Sequence, residues 1–417
     1  MIDMTEKMDE MEIIDKTEKT EIMESEKTEE INEMEKTNMT KKADKTEKWR
    51  DYSNVILFGM VLVGFFIIGL LSPDKEISDT ERRLLHSFPE LNMHTIFADK
   101  GQDSFMDGFE EYAVDQFPYR EAFRTVHSAF TLYGIGRKEI NDIYYAEGHI
   151  LKTSMSIHPD SVSRSLNRMQ YIKKRYLQDN RVFFVMIPDK NYYLKNQTEV
   201  PYLDYEKLEK LFRESTDEYA EFINIKEELS LNDYYKTDTH WRQERLEPVA
   251  KKIMLAMGNQ FDFQFHEKDV TDQFKGVYYG QGALPVKQDT LFCLTADYME
   301  DCVVTCYDSG KSEFFSLYDF TKTEGMDPYE IFLSGSRALM TIENSSAATD
   351  KELIMFRDSF GSSIAPLFAG CYKKITLIDI RYISPSVLDR FVDFENADVL
   401  FLYSVQVLNN SEGQFLD

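Results

Sequence analysis

A run of seventeen residues without a charged side chain, Val55–Leu71 (VILFGMVLVGFFIIGLL), constrains this chain most. With Ser53, Asn54 and Ser72 the uncharged stretch reaches twenty residues, about 30 Å of helix, which is enough to cross the hydrocarbon core of a bilayer. A buried core helix would show a polar stripe, and a cleaved signal peptide would lie at the N-terminus and end at small residues. The run therefore predicts an uncleaved transmembrane helix over residues 53–72.

Basic residues flank this run unevenly. Five precede it and three follow at greater distance: Lys41, Lys42, Lys45, Lys48 and Arg50, then Lys75, Arg82 and Arg83. Because positive charge is retained on the cytoplasmic side, we expect a single-pass cell-membrane protein with a cytoplasmic N-terminus. Residues 73–417 would then be extracytoplasmic.

The segment before the run is rich in charge and poor in core-forming residues. Residues 1–50 carry 16 acidic and 10 basic side chains, and Trp49 is their one aromatic residue. Such a composition buries too little apolar area to offset the entropy of ordering. It predicts a disordered acidic cytoplasmic tail over residues 1–52, with a charged helical docking arm as the alternative, because Glu and Lys favour helix.

The external part is acidic but able to fold. The whole chain has 74 acidic and 48 basic residues and 42% hydrophobic residues, so it can bury a core but lacks the basic charge that a nucleic-acid partner requires. The four cysteines, in no C-x-x-C pair and near no His at zinc spacing, predict neither a metal site nor a disulfide framework: Cys293, Cys302, Cys306 and Cys371. No cofactor is expected.

Hydrophobic periodicity divides the external part into two regions. Residues 73–140 are predicted to be a helical stalk or N-terminal region, with two helices meeting at Pro118. From residue 141 to 417, after a hairpin turning at Glu147-Gly148, buried strands alternate with helices, which predicts an α/β domain whose mostly parallel sheet is covered by helices on both faces. Short β runs with Gly and Asp turns predict a β-rich insertion over about residues 261–341.

The predicted strands and helices of this domain follow one another closely. The strands are Arg181–Ile187, Glu221–Ile225, Glu352–Phe356, Lys374–Ile380 and Val399–Tyr403, and the helices are Ser161–Leu177, Tyr205–Ser215, Arg242–Met257, Gly361–Ala369 and Pro385–Phe391.

Ser359 lies where a buried strand is predicted to turn into a helix. A Ser at this place is most often an N-cap. A nucleophile needs a sharp turn that exposes the hydroxyl and directs backbone N–H groups at a developing oxyanion, and Gly361 would permit that close approach. Arg357 occupies the place of the first Gly in a G-x-S-x-G elbow, so both alternatives remain open.

His240 follows Asp238 by two residues, in the loop YYKTDTHW. It could cap the next helix. Alternatively, Asp238 accepts a hydrogen bond from one imidazole nitrogen and leaves the other to deprotonate a Ser. The position of both residues at a predicted strand-to-helix turn favours the second interpretation. The other six histidines are expected at the surface: His86, His94, His127, His149, His158 and His266.

Together these motifs resemble the DHHW family of bacterial envelope proteins, which is related to the alginate O-acetyltransferase (AlgJ/AlgX-type) branch of the SGNH hydrolases. The resemblance rests on D-T-H-W at Asp238–Trp241 and D-S-F-G-S from Asp358, in that order, the reverse of ordinary SGNH esterases. It extends through the segments SDTERR, QFPYR, IPDK and IDIRY. It implies Ser359 as nucleophile, His240 as base and Asp238 as orienting carboxylate. Thr239 replaces a His of the family motif.

Several accessory residues are candidates for substrate contact, and Gly361 is a candidate for the oxyanion site. Arg381 and Lys190 follow predicted strands and would lie on the same rim, although a salt bridge and a solvated loop Lys are the respective alternatives. Trp241, Tyr278 and Tyr279 would stack on sugar rings or pack in the core.

The resemblance implies a serine O-acyltransferase, acetyl being the usual group, or an esterase that acts on a cell-envelope polysaccharide through an acyl-enzyme. It also implies a multi-spanning membrane acyltransferase as acyl donor. A catalytically inactive, membrane-tethered glycan-binding or scaffold protein is the alternative.

Overall fold

The computed structural model describes residues 3–98, 104–152, 156–196, 200 and 202–410. The chain forms two compact units. The first comprises Met1–Asp74 and Phe109–Pro118, and the second comprises Lys75–Gly108 and Tyr119–Asp417. The ends of the predicted tail and of the predicted domain, residues 1–2 and 411–417, lie outside the described residues.

The first unit is dominated by one helix, α1, of 69 residues from Asp3 to Leu71. Its C-terminal part, Lys48–Leu71, is long and apolar enough to span a membrane, and its most apolar window of 18 residues has a mean hydropathy of 2.6. The structure differs from the disordered tail predicted for residues 1–52, because residues 3–52 continue this helix. No Gly or Pro occurs before Gly59, and the Glu- and Lys-rich segment extends a helix that the apolar run already nucleates.

The other helices are shorter. Within the described residues they are α2 (Met93–Phe97), α3 (Phe105–Asp115), α4 (Arg120–Ala129), α5 (Pro159–Tyr176), α6 (Tyr205–Thr216), α7 (Glu247–Ala256), α8 (Val277–Gly282), α9 (Phe360–Phe368) and α10 (Val405–Asn409).

The strands all lie in the second unit. Within the described residues they are β1 (Ile77–Ser78), β2 (Arg83–Leu84), β3 (Glu139–Ile140), β4 (Ile143–Ala146), β5 (His149–Lys152), β6 (Val182–Ile187), β7 (Glu221–Phe222), β8 (His266–Phe274), β9 (Asp289–Thr295), β10 (Cys302–Cys306), β11 (Glu313–Phe315), β12 (Leu339–Asn344), β13 (Glu352–Arg357), β14 (Lys374–Ile378) and β15 (Asp398–Ser404).

An eight-stranded sheet in the order β11-β10-β12-β14-β13-β15-β6-β7 organises the second unit. The strands from β14 to β7 are parallel, whereas β12, β10 and β11 add to the β14 edge by antiparallel pairing. The central strand β13 pairs with β14 and β15, as in Ile354 opposite Thr376 and Val399. The prediction of a mostly parallel sheet is confirmed.

Both faces of the sheet are covered by helices. Leu353 and Met355 of β13 join a buried cluster that includes residues of α7 and α9, and the alternate residues Ile354 and Phe356 join a second cluster that includes residues of α5 and α6. A strand that is buried on both faces reads as a continuous apolar run, which explains the pattern LIMF in this strand.

The predicted insertion over residues 261–341 needs correction. Three of its strands, β10, β11 and β12, extend the main sheet, and only the antiparallel ribbon β8–β9 lies outside it. A short strand shows its own alternation in the sequence but not the edge to which its backbone bonds. Two predicted helices are also shorter than expected: α7 begins at Glu247 after a 3-10 turn, and Pro385–Arg390 forms only a 3-10 helix.

Candidate active site

The carboxyl ends of the parallel strands meet at one edge of the sheet, and the candidate residues follow these ends. Ser359 lies two residues after β13, and Lys190 lies three residues after β6. Asp238 and His240 belong to the long connection between β7 and α7. The fold thus gathers side chains that are up to 169 positions apart along the chain.

Ser359 occupies the N-cap position of α9 but does not cap it. Its side chain makes no capping hydrogen bond, and the N–H of Phe360 donates instead to Asp358 Oδ1 at 3.0 Å. The second Asp358 oxygen accepts from the Ser404 N–H at 2.8 Å, which joins the ends of β13 and β15. Because Asp358 takes over the cap, the hydroxyl of the partly exposed Ser359 is available for another partner.

Gly361 lets α9 start close to β13. A Cβ at this position would lie 2.7 Å from Arg357 Cβ and 2.9 Å from Met355 Cε, closer than real contacts allow. Its N–H donates to Asp358 O at 3.0 Å. The predicted oxyanion role of Gly361 therefore needs correction, because its N–H is already bonded within the turn. Gly361 instead allows α9 to begin close to β13.

Ser359, His240 and Asp238 form a continuous relay. Ser359 Oγ lies 2.8 Å from His240 Nε2, and His240 Nδ1 lies 2.6 Å from Asp238 Oδ1. Asp238 is 1% exposed and His240 is 8% exposed. The structure brings the three predicted residues together in the Ser–His–Asp order that serine acyl chemistry requires.

Asp238 is held by further hydrogen bonds. Its Oδ1 also accepts from the His240 N–H at 3.0 Å, and its Oδ2 accepts from the Val277 N–H, at the start of α8, at 2.8 Å. Burial opposes the charge of this carboxylate, but His240 and Arg82 lower its pKa below the ordinary value. Asp238 therefore stays ionised, with both oxygens satisfied.

Lys190 lies beneath the loop that carries these residues. It is 2% exposed, and its ammonium donates to the carbonyls of Tyr235, Lys236 and Asp238 at 2.9, 3.2 and 2.8 Å. Burial lowers the pKa of Lys190 to about 7, against the opposing charges of nearby carboxylates. The prediction of a substrate-binding Lys and the alternative of a solvated loop Lys are both corrected, because this side chain binds the backbone of the loop.

Asp289, on β9, holds the same loop from the other side. Its carboxylate accepts from the N–H groups of Lys236 and Thr237 at 2.9 and 2.7 Å and from Thr237 Oγ1 at 2.6 Å. Thr237 Oγ1 in turn accepts from the Gly276 N–H at 2.9 Å. A Cβ on Gly276 would lie 2.3 Å from Asp238 Cβ, so only glycine fits there.

Tyr329 stacks on the imidazole of His240. The ring centroids are 3.9 Å apart and the rings are 11° from parallel. The Tyr329 hydroxyl donates to Ser363 Oγ at 2.8 Å, and Trp241 Nε1 donates to the same oxygen at 2.8 Å. Trp241 is fully buried, so the sugar-stacking prediction is corrected for this residue.

Arg82 and Asp327 form an ion pair beside the relay. Arg82 Nη1 lies 2.7 Å from Asp327 Oδ2, and Arg82 Nη2 donates to Lys275 O at 2.7 Å. Burial raises the pKa of Asp327, and the charge of Asp238 raises it further. In the sequence, Arg82 stood out only as a basic residue flanking the membrane run, although it lies in one of the segments that carry the family resemblance.

Thr239 faces the partly exposed side of the loop. Its Oγ1 donates to Gln406 Oε1 at 3.0 Å, and Gln406 Nε2 donates to the Tyr278 hydroxyl at 2.9 Å. Tyr278 is only 3% exposed, whereas Tyr279 is partly exposed. Of the two tyrosines, only Tyr279 retains a surface for a ligand.

Arg381 forms a salt bridge with a carboxylate. Its Nε and Nη2 donate to the two oxygens of Asp379 at 2.8 and 2.6 Å. Arg357, which is fully buried, lies 3.9 Å from the same Asp379. The salt-bridge alternative thus describes Arg381. Spacing along the chain could not show that Arg381 shares the carboxylate of Asp379 with the buried Arg357.

No protein-family model and no curated protein matches this sequence. Several solved structures resemble it. Bacillus cereus PatB1, solved with a sulfonyl adduct, has a TM-score of 0.51 and 18% identity over 66% of this chain and 98% of that chain. The similarity to PatB1 shows the fold.

Two further structures correspond to the resemblance seen in the motifs. A DHHW family protein from Eubacterium siraeum has a TM-score of 0.47 and 19% identity over 66% of this chain and 95% of that chain. The O-acetyltransferase domain of Pseudomonas putida AlgJ has a TM-score of 0.36 and 10% identity over 60% of this chain and 84% of that chain. The solved structures that resemble this chain therefore include the protein types that the sequence motifs indicated.

Proposed function

We propose that this chain is a membrane-anchored, extracytoplasmic serine O-acyltransferase or esterase that acts on a cell-envelope polysaccharide. One observation carries the proposal: Ser359 Oγ lies 2.8 Å from His240 Nε2, and Asp238 holds the opposite imidazole nitrogen at 2.6 Å. A serine that only capped a helix would not need a buried His–Asp pair.

The first half-reaction forms an ester on Ser359. His240 Nε2 takes the hydroxyl proton while Ser359 Oγ attacks the carbonyl carbon of an acyl donor. Asp238 accepts from Nδ1–H and stabilises the imidazolium that results. When the tetrahedral intermediate collapses, the bond to the leaving group breaks, and His240 returns the proton to that group.

The second half-reaction releases the acyl group. His240 removes a proton from an acceptor hydroxyl, whose oxygen attacks the ester carbonyl, and Ser359 recovers its proton as the ester bond breaks. A sugar hydroxyl as acceptor gives transfer, whereas water gives hydrolysis. The motif order, with Asp238 and His240 before Ser359, is that of the O-acetyltransferase group it resembles and favours an acetyl group.

The surface beside the relay suits a polar acceptor. A cleft of about 520 Å³ lies next to the site, because its lining includes Pro328, the residue before Tyr329, but none of the three relay residues. It is lined by charged and aromatic groups, among them Asp79, Arg82, Lys275 and Tyr279. Hydroxyl-rich sugars bind through such mixed polar and aromatic surfaces.

The anchor and the acyl donor complete the proposal. The span at Lys48–Leu71 and its flanking charges support a cytoplasmic tail and a second unit outside the membrane. An acyl donor outside the cytoplasm must be delivered, and we propose a multi-spanning membrane acyltransferase as the partner that delivers it. No nucleic acid is expected to bind.

A nucleophile replacement tests the chemistry. The full chain in detergent should release acetate, or transfer acetyl to an oligosaccharide, from an activated acetyl ester, and Ser359→Ala should lower kcat/KM by about 10⁴-fold or more. Ser215→Ala, which removes an exposed hydroxyl from α6, is the matched control and should retain full activity. Full activity in Ser359→Ala would overturn the assignment.

A sulfonyl fluoride gives a second readout, since the PatB1 structure carries a sulfonyl adduct. The reagent should add one sulfonyl group to Ser359, as located by peptide mass spectrometry, and His240→Ala should slow this reaction. A chain that neither reacts nor turns over the ester would instead be the inactive glycan-binding or scaffold protein.

A further inference from the structure

Helix α4 turns its apolar side chains outward. Tyr119, Val126, Phe130 and Tyr133 are 68, 66, 63 and 66% exposed. Their spacing places them on one face of a helix that runs from the N-cap of α4 through the turn that follows it. Side chains of this type normally face the core.

The polar side chains of the same helix face the protein. Arg124 Nη2 donates to Gly280 O at 2.8 Å and lies 3.1 Å from a Glu81 oxygen, and Ser128 Oγ donates to Gly282 O at 2.7 Å. Ser128 is 3% exposed. The helix is therefore inverted: its polar face is bound by the domain and its apolar face lies outside.

An inverted face of this size is costly in water. Burial of a large apolar side chain stabilises a fold, and here four such side chains remain exposed. Contiguous exposed apolar surface of this kind marks an interaction site. The hydrogen bonds of Arg124 and Ser128 fix the face in that orientation.

We propose that this face docks on the lipid bilayer that the chain itself spans. The membrane-spanning segment ends at Leu71, and β1 begins at Ile77. The intervening residues 72–76 reach at most about 20 Å when extended. Glu81, which binds Arg124, follows four residues after Ile77, so the inverted helix is tethered within reach of the bilayer surface.

The chemistry of the face suits the interface of a bilayer. Tyrosine and phenylalanine concentrate where an apolar ring meets hydrated headgroups, and an interfacial helix buries such residues about 5–10 Å deep. Ile135, 64% exposed, extends the apolar face. Arg137, also exposed, follows it and offers a guanidinium to a lipid phosphate.

Docking would hold the candidate site near the membrane. Helix α8 connects the inverted helix to the candidate site. At one end of α8 Gly282 O accepts from Ser128, and at the other end the Val277 N–H donates to Asp238. A helix of six residues is about 9 Å long. The inference depends on the membrane span of the proposed function but not on its acyl chemistry.

Tryptophan quenching tests the docking in the full chain. Phe130→Trp is reconstituted into phosphatidylcholine vesicles with brominated or ordinary acyl chains, and the unmodified chain gives the background from Trp49 and Trp241. The added tryptophan should emit at a shorter wavelength than a tryptophan exposed to water. It should also lose at least about half of its intensity in brominated lipid, because an interfacial residue lies within reach of the bromines.

Phe314→Trp is the matched control, because Phe314 lies on β11 in the same unit and is 72% exposed. Its added emission should be unaffected by bromination. Equal quenching of the two variants would overturn the inference, as would the absence of quenching in Phe130→Trp. Acetyl-ester activity measured on the same vesicles is a separate readout, so loss of docking and loss of the proposed chemistry are distinguished.

Discussion

The two halves of the candidate site are built in different ways. Ser359 stands on regular structure, between the buried strand β13 and helix α9, and its turn is closed by the neighbouring Asp358. Asp238 and His240 stand in an irregular loop that is held by Lys190 and Asp289, from distant strand ends. The serine half is positioned by local geometry, and the histidine half by side chains that bind its backbone.

This difference predicts where substitutions should lower the activity of the site most. The backbone of this loop bonds to itself only where its two arms meet, from the Tyr235 N–H to His240 O and from the Arg242 N–H to Asp233 O. The residues between these arms keep their shape only while their external partners remain. We therefore expect substitutions beneath the histidine loop to lower activity without removing any residue of the relay.

Gly276→Ala should have the largest effect of this kind. Its Cβ would lie 2.3 Å from Asp238 Cβ and 2.4 Å from Thr237 O, so the loop backbone must move. A displacement near 1 Å in a catalytic group costs about 10²-fold in rate, and we expect kcat/KM with the acetyl ester to fall by that much or more.

Gly361→Ala tests the serine half in the same assay. Its Cβ would meet Arg357 Cβ at 2.7 Å and the flexible end of Met355 at 2.9 Å, a milder clash, so its loss should be smaller. Gly64→Ala, whose Cβ meets nothing within 4 Å, is the control. A larger loss in Gly361→Ala than in Gly276→Ala would contradict the comparison.

Lys190→Met should have an intermediate effect. The substitution removes three hydrogen bonds, to the carbonyls of Tyr235, Lys236 and Asp238, while approximately keeping the shape of the side chain. We expect kcat to fall about 10- to 100-fold with little change in KM, because the base is misplaced while the substrate surface remains.

The matched control is Lys195→Met, at an exposed position. A rise in KM at unchanged kcat in Lys190→Met would show instead that Lys190 contacts substrate.

His149→Gln should have the smallest effect, on the pH dependence of stability. His149, expected at the surface, is 2% exposed on β5, and burial and then the charge of Lys190 lower its pKa to about 4 from 6.5. Between these values the unfolded chain binds the proton and the folded chain does not, so stability is lost as pH falls from about 6.5 towards 4.

At pH 5 this loss amounts to about 2 kcal/mol. The thermal midpoint of the second unit should therefore fall more between pH 7 and pH 5 in the parent chain than in His149→Gln. Equal falls would show that His149 takes up its proton as readily in the folded state as in the unfolded one.

Helices α4 and α5 show what hydrophobic periodicity can predict and what it cannot. Both have a clear apolar stripe in the sequence. In α5 the stripe is buried, as Met169 and Ile172 show, whereas in α4 Phe123 and Val126 are exposed. Periodicity predicted both helices but not which face turns inward, because that depends on partners such as Glu81 and the carbonyl of Gly280.

By itself the sequence determined the features that depend on neighbours along the chain. These are the apolar span, the alternation of buried strands and helices, the serine at a strand end and the carboxylate two residues from its histidine. Each follows from propensity, period or short spacing, which a linear pattern records.

Only the tertiary structure decided which groups meet across long separations. His240 and Ser359 are 119 residues apart, Tyr329 stacks on His240 from a segment predicted as an insertion, and Lys190 turns from the rim to the loop backbone. Such contacts are set by the packing of whole elements and by the need to satisfy every buried polar group, and neither leaves a periodic trace in the sequence.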